Sequence, residues 1–215
     1  MSAIFEELAE LGTATVYEAA GRVGLVDLDL VPLVPGARAA GPARTVRCGQ
    51  ADNVMVHAVM SHARPGDILV LTMPEPAPVA LLGELLATQA RGRGVAGVLV
   101  DAAVRDREEL AEIGLPVWAR WVRVRGATKT APGEIDGPVD VGGATIAAGD
   151  AVVLDADGAV VVPQARVAEV LEAARRRADE ERVKRERLEG GELSYDIDGL
   201  RTVVEGNPDA PGSRL

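Results

Sequence analysis

Cysteine occurs once in the 215 residues and histidine twice, at positions 57 and 62. One cysteine excludes an internal disulfide framework and any cysteine-cluster metal centre. Two histidines leave no material for a histidine-rich zinc site. Aromatic side chains amount to two Trp, two Tyr and one Phe, which removes the stacking platforms that single-stranded nucleic acids need. No apolar run reaches the length of a bilayer span, and MSAIFEELAE lacks the basic and apolar regions of a signal peptide. The expectation is a cytoplasmic protein with no membrane partner. The formal charge of −10 argues against a general nucleic-acid partner, which wants a basic footprint. Cys48 reads as a packed small thiol, because no helix start or histidine adjoins it that would make it a nucleophile.

Aliphatic side chains fill most of the 47% hydrophobic fraction, so the core must be Val, Leu, Ala and Ile. The length fits one domain, taken as residues 1–190 with a tail at 191–215. Residues 3–11 form a short helix ended by Gly12, and a second helix runs from about Val16 to Val23. Residues 28–42, with three prolines, form an extended crossing. Strands are expected at Ala43 to Cys48, Ile68 to Thr72, Val95 to Val100 and Leu115 to Ala119, with helices at Asn53 to Ser61, from Glu84, and at Arg107 to Ile113. Three prolines between Met73 and Pro78 forbid regular structure there. Val124 to Gly142 is turn-rich, and Ala144 to Pro163 alternates strands with turns. A helix follows from Val167 to about Leu188, and the residues beyond Gly206 lack an apolar pattern and are read as poorly ordered.

Two motifs invite over-reading. Gly92, Gly94 and Gly97 spell a dinucleotide fingerprint, but a helix precedes them and a strand follows, the reverse of what pyrophosphate binding requires. They read as a helix-to-strand turn. Asp155-Ala-Asp-Gly158 resembles the start of a calcium loop, but apolar strands flank it and the other ligands are missing. A hairpin turn fits better.

The stretch from Leu81 to Asp106 carries the chemistry. It opens with Glu84 at a helix start and closes on Arg105-Asp106, past the carboxyl end of a strand, where ligands of α/β sheets sit. Oxygen-ligand chemistry is what the composition leaves: a hard divalent cation takes one or two carboxylates and keeps its waters. From the residues alone, an Arg-Asp pair beginning a helix is more often a helix cap or a surface ion pair.

The chain resembles the RraA-like family, and within it the class II pyruvate aldolases acting on 4-hydroxy-4-methyl-2-oxoglutarate and 4-carboxy-4-hydroxy-2-oxoadipate. The resemblance runs from about Leu11 (TATVYEA) through PGARAAGPARTVR, RPGDILV, the central stretch and GGATIAAGDAVVLDADGAVVVP, resuming at Gly191 to Leu193 (GEL). Its diagnostic motif is an acid, twenty intervening residues and Arg-Asp. Glu84 and Arg105-Asp106 meet it, with Glu where many members have Asp. SYDIDGLR departs from the usual C-terminal run. The MPEPAP loop and RGATK look closer to the aldolase branch than to the ribonuclease regulators.

What the resemblance implies is an α/β fold of the swivelling β/β/α kind and a homotrimer or hexamer. It implies Mg²⁺ or Mn²⁺ as cofactor, with Asp106 as direct ligand and Glu84 acting through water. Arg105 is implied as donor to the keto oxygen of a small-molecule 2-oxo acid, whose carboxylate meets the turn of Gly83, Leu85 and Leu86. Glu181 or Glu180 of a neighbouring subunit is the implied further acid, acting through water. The implied catalytic set is thus Arg105, Glu84 and Asp106, and oxaloacetate decarboxylation is an implied side activity. The same family holds non-catalytic regulators that bind ribonuclease E, which is the alternative function. The group on C4 of the substrate is left open, with Lys129 and the loop from Met73 to Pro78 as the residues placed to influence it.

Overall fold

The computed structural model describes residues 3–205; the expectation for the residues beyond Gly206 lies outside them. Compact packing defines a first unit up to Ala174 and a second from Arg175 onward.

The first unit opens with α1 (Ala3–Ala19), which is two helices end to end: Gly12 at φ 81°, ψ 166° breaks the helical path, as its position between two apolar stripes predicts. Short strands β1 (Leu25–Val26) and β2 (Val31–Pro32) lie before and within the proline-rich crossing, respectively. β3 (Ala39–Arg47) starts four residues earlier than the sequence suggests. There follow α2 (Val54–Val59), β4 (Ile68–Thr72), β5 (Ala80–Leu82), α3 (Glu84–Gly92), β6 (Gly97–Val104), α4 (Arg107–Ile113) and β7 (Val117–Val122). The remaining strands are β8 (Glu134–Ile135), β9 (Val139–Val141), β10 (Ala144–Ile146), β11 (Ala151–Asp155) and β12 (Gly158–Val162), before α5 (Val167–Glu189).

Ten strands form one sheet in the order β1-β12-β11-β3-β4-β6-β7-β2, with β5 added on β6 and β8 on β3; β9 and β10 make a separate hairpin. The β3-β4-β6-β7 centre is parallel, and its two middle strands, β4 and β6, are wholly buried, as β-strands covered on both faces must be. Helices α2, α3 and α4 cover one face over a core of Leu69, Leu71, Val98, Val100, Leu86 and Leu110. On the other face Ile68, Val70, Leu99 and Trp118 meet residues of β9 to β12. The result is the expected α/β architecture of helices on strands on strands. A third core joins α1 and the start of α5 to β11 and β12.

The DADG turn closes the β11–β12 hairpin, with Asp155 paired to Gly158. Its carboxylate is spent on structure. Asp155 accepts from the Thr13 amide at 2.8 Å, the Thr13 hydroxyl at 2.6 Å and the Asp157 amide at 2.9 Å. The same residue's carbonyl takes the Trp118 indole N–H at 2.7 Å. Gly92, Gly94 and Gly97 likewise do what a helix-to-strand turn needs: α3 ends at Gly92, Gly94 takes φ 78°, and β6 begins at Gly97.

In the second unit the distal half of α5 is followed by α6 (Ser194–Ile197) and α7 (Leu200–Glu205), helices that the sequence reading left as tail. Lys184 pairs with Asp198 at 2.6 Å, Arg187 with Glu192 at 2.6 Å and Arg201 with Asp196 at 2.7 Å. Among the described residues, no helix is long and apolar enough to cross a membrane.

Candidate active site

The site is made by one exchange of partners along β6. β4 pairs with the first half of β6, Ile68 with Gly97 through Leu71 with Val100. β5 then takes over, pairing Ala80 with Ala103 and Leu82 with Val104. Both this pairing and that of β6 with β7 carry a register irregularity, and bulges of this kind re-aim the side chains that follow. The Arg105 amide donates to the Leu82 carbonyl at 3.1 Å. Gly83-Glu84 and Arg105-Asp106 therefore leave the sheet side by side, at the carboxyl ends of parallel strands.

Asp106 stands just before α4, at its N-cap position, in the left-handed region, φ 60° and ψ 51°, and its side chain caps no amide of that helix. Asp is one of the few residues that tolerate this conformation. The carboxylate turns instead to the neighbouring helix: Oδ2 accepts from the Glu84 amide at 3.0 Å and lies 3.5 Å from Arg105 Nε. The helix-cap reading of the pair is thereby excluded. The ion pair is open to solvent, Arg105 being half exposed, so its own contribution to stability is small.

Two glycines make room for these groups. At Gly83 a Cβ would lie 2.5 Å from Asp106 Oδ2 and 3.1 Å from Arg105 Cγ, and at Gly126 it would lie 3.0 Å from Arg105 Nη1. Gly83 is extended, φ −148°; here glycine is required for close approach rather than for its backbone freedom.

The groups open on a solvent-open cleft whose walls include Gly83, Leu85, Leu86, Arg105 and Asp106. The amides of Leu85 and Leu86 lie in the first turn of α3, where no intrahelical acceptor can reach them. The Glu84 carboxylate is exposed and is not part of this wall; residue 84 reaches Asp106 through its backbone. Glu181 belongs to the second unit, where it pairs with Arg177 at 2.9 Å. Glu180 is in the same unit.

Three cleft residues were not singled out for the site from sequence, or only loosely. Asn53 and His57 sit one helical turn apart on α2, a spacing that places both on one face. Asn53 Nδ2 donates to the Leu81 carbonyl at 3.1 Å, and its Oδ1 is buried without a partner among the described residues. Lys129, in the RGATK loop, is exposed on the cleft. The loop from Met73 to Pro78 is irregular as expected and is held by Gln50, which donates to the Glu75 carbonyl at 2.9 Å and accepts from its amide at 3.0 Å. It contributes nothing to this wall.

Asp52 precedes Asn53 and is fully buried. Burial alone would push its carboxyl pKa up. Donors from Thr130, Val54, Thr128 and Ala131 outweigh that and hold it well below the usual carboxylate range. Cys48 has no such support: burial, and then the nearby Asp52 charge, push its thiol up to about 12. It is an inert core residue.

No group of three or more His, Cys, Asp or Glu that could hold a metal exists among the described residues. The donor set fits a cation of another kind. The Asp106 side chain is 36% exposed, and Oδ1 has no protein donor among the described residues. That suits Mg²⁺ or Mn²⁺, which accept one carboxylate and fill their remaining positions with water and substrate oxygens.

Comparison with known proteins shows the family of the chain. A family model described as Aldolase/RraA matches residues 13–161. A protein of Halalkalibacterium halodurans named "Putative 4-hydroxy-4-methyl-2-oxoglutarate aldolase" is 34% identical over 185 residues, 85% of either chain. Among solved structures, Streptomyces coelicolor RraAS2, described as an unusual member of the RNase ES inhibitor RraA family, superposes with a TM-score of 0.76. It is 29% identical over 86% of this chain and 96% of its own. An uncharacterized protein from Pseudomonas syringae pv. tomato gives 0.80 at 26% identity, over 90% and 95% of the two chains. With Arg105 and Asp106 converging on one cleft, and the family model covering most of the chain, this protein belongs to the RraA-like, Aldolase/RraA family.

Proposed function

We propose that the protein is a divalent-metal-dependent pyruvate aldolase, a carbon–carbon lyase. It would cleave 4-hydroxy-4-methyl-2-oxoglutarate or 4-carboxy-4-hydroxy-2-oxoadipate to pyruvate and a second 2-oxo acid. The observation that carries this reading is the placing of the Arg105 guanidinium, the Asp106 carboxylate and the first-turn amides of α3 around one solvent-open cleft.

The chemistry needs four things of the chain. The substrate's C1 carboxylate needs donors, and the amides of Leu85 and Leu86 at a helix start supply them. Breaking the C3–C4 bond sends its electron pair toward the 2-keto oxygen, where negative charge grows; Arg105 donates a hydrogen bond there. The C4 hydroxyl must lose its proton as C4 becomes a carbonyl, and Glu84, at the exposed head of α3, is assigned to orient the water that takes it. Asp106 would hold the Mg²⁺ or Mn²⁺ ion, which when bound supplies Lewis-acid stabilisation of that same growing charge. Protonation at C3 then completes pyruvate. Loss of CO₂ from oxaloacetate builds charge on the same oxygen, which makes that decarboxylation a side activity of the proposed site. Assembly as a homotrimer or hexamer, with Glu181 or Glu180 of a neighbouring subunit acting through water, belongs to the same proposal.

The test is pyruvate release from both 4-hydroxy-2-oxo acids with Mg²⁺ or Mn²⁺. Activity that EDTA removes and either ion restores supports the reading; turnover unaffected by chelation rejects the metal, and no release from either acid rejects the aldolase. The likeness to RraAS2 supports a second reading, a non-catalytic regulator of ribonuclease E. Capture of that ribonuclease without pyruvate release would favour it.

A further inference from the structure

Asp52 lies beneath the cleft, and its surroundings consist of donors. Oδ1 accepts from the Val54 amide at 2.8 Å. Oδ2 accepts from the Thr128 hydroxyl at 2.7 Å, the Thr130 amide at 2.6 Å and the Ala131 amide at 3.1 Å. The backbone joins in: the Thr128 amide donates to the Ala51 carbonyl at 2.9 Å, and the Asn53 amide to the Thr128 carbonyl at 2.9 Å. Backbone N–H groups meet both oxygens, Val54 at one and Thr130 and Ala131 at the other, a demand for two acceptors that a carboxylate meets.

Three of these donors flank one residue. Thr128, Thr130 and Ala131 bracket Lys129, which is among the residues lining the cleft and has no anionic partner among the described residues. The next residue reaches the other way: Asn53 Nδ2 ties down the Leu81 carbonyl, two residues before the Gly83 turn. One dipeptide thus holds the loop that carries the cation and the strand that leads to the amides of α3. Arg105 is paired with Asp106, and the amides of α3 are assigned to one substrate carboxylate, so among the cleft residues Lys129 is the cation left for a second.

We propose that Asp52 is a positioning residue: it fixes the Thr128–Ala131 segment so that Lys129 meets the second, C4-side carboxylate of a 2-oxo dicarboxylic acid. This rests on the aldolase reading and extends it from the reacting bond to substrate selection. A remote carboxylate held equally in the ground and transition states lowers KM and so selects the substrate without changing kcat. The ionised state of Asp52, secured by its four donors, keeps the clamp in place over the working range of pH.

The test compares Asp52→Asn with the wild-type full-length protein. The Asn side chain is isosteric, but its NH₂ must face either the Val54 amide or the three donors at Oδ2. The probes are pyruvate and 2-oxoglutarate, each titrated calorimetrically with Mg²⁺; 2-oxoglutarate has the second carboxylate but no C4 hydroxyl, so aldol cleavage of it is impossible. The variant is expected to weaken 2-oxoglutarate about tenfold, the loss of one charge-assisted contact, and to change pyruvate by less than about twofold. For 4-hydroxy-4-methyl-2-oxoglutarate, KM rises while kcat is held. In a Lys129→Ala background Asp52→Asn adds little, because both act through one ammonium. Hydrogen exchange at the Thr130 and Ala131 amides speeds up. Thr128→Ala removes one donor of the four and gives the same selective pattern more weakly, which carries the test if Asp52→Asn does not fold. Equal weakening of both acids, full additivity with Lys129→Ala, or unchanged amide protection would overturn the inference while leaving the aldolase standing. A wild-type protein that releases no pyruvate and binds neither acid overturns both.

Discussion

Replacing Gly83 with alanine tests the site through a single methyl group. The new Cβ would lie 2.5 Å from Asp106 Oδ2, whereas ordinary van der Waals contact begins near 3.4 Å. The carboxylate must therefore retreat by roughly an ångström, carrying its hydrogen bond to the Glu84 amide with it. A misplacement of about 1 Å at a reacting centre costs on the order of a hundredfold in rate, about 2.7 kcal/mol of barrier. The cost to the fold is much smaller. The backbone at Gly83 is extended, so alanine is unstrained there and gains about 0.4–1 kcal/mol from a less free unfolded chain. This offsets part of the ~1–3 kcal/mol typical of overpacking, and the side chains displaced are solvent-exposed ones. The expected result is a fall of about a hundredfold in kcat/KM for pyruvate release from 4-hydroxy-4-methyl-2-oxoglutarate, read by a coupled lactate dehydrogenase assay. The melting temperature should move by less than about 4 °C. Wild-type turnover in the variant would refute the placing of Asp106 in the chemistry. Loss of activity together with a collapse of the melting transition would refute the division between site and fold.

Three further outcomes follow from the same contacts. Arg105→Ala and Asp106→Ala should each reduce cleavage about a hundred- to a thousandfold, ~3–4 kcal/mol of barrier, with circular dichroism unchanged; near-normal turnover in either rejects its role. Asp52→Ala should be less stable than wild type at neutral pH. Because the folded pKa is depressed, the difference is fully present above the unfolded value of about 3.9 and shrinks as pH falls below it; paired urea melts at neutral and acid pH check the sign. Cys48 should resist a disulfide reagent in the native protein and react once the chain is unfolded in guanidinium, as its burial and thiol pKa of about 12 require; fast native labelling would contradict the packing.

The parts of the fold legible in the sequence are those with local causes. β4 was expected at its observed bounds because Pro65-Gly66-Asp67 turns directly into five apolar residues, and α4 because Gly114 ends it in a left-handed cap. The break at Gly12 and the DADG hairpin are of the same kind. β5 was missed: three apolar residues before a helix start look like its first turn, and only their pairing with Ala103 and Val104 makes them a strand. β6 was stopped at Val100 because Asp101 looks like an end. In the fold it is buried and continues the strand, with Arg120 of β7 2.9 Å away. Burial raises its pKa and Arg120 only partly offsets this. The site divides in the same way. Arg105 and Asp106 were indicated by the motif of the family that the chain resembles, and the Gly83 turn with them. Asp52 could not, since its partners lie more than seventy residues on in the chain. For Glu84 the spacing was informative about the position, while the group that touches Asp106 is the amide, which any residue type would supply.

The left-handed backbone at Asp106 limits what this position can become. Only Asp, Asn and Gly sit there at low cost, and of the three only Asp carries charge. Asp-to-Asn and Asp-to-Gly exchanges each need a single nucleotide change, and neither strains the loop or alters any distant surface. If the proposed aldolase activity holds, a chain of this fold is thus one point mutation from a catalytically silent copy with the same exterior. On that reading, the backbone geometry at this one position makes the chemistry separable from the scaffold.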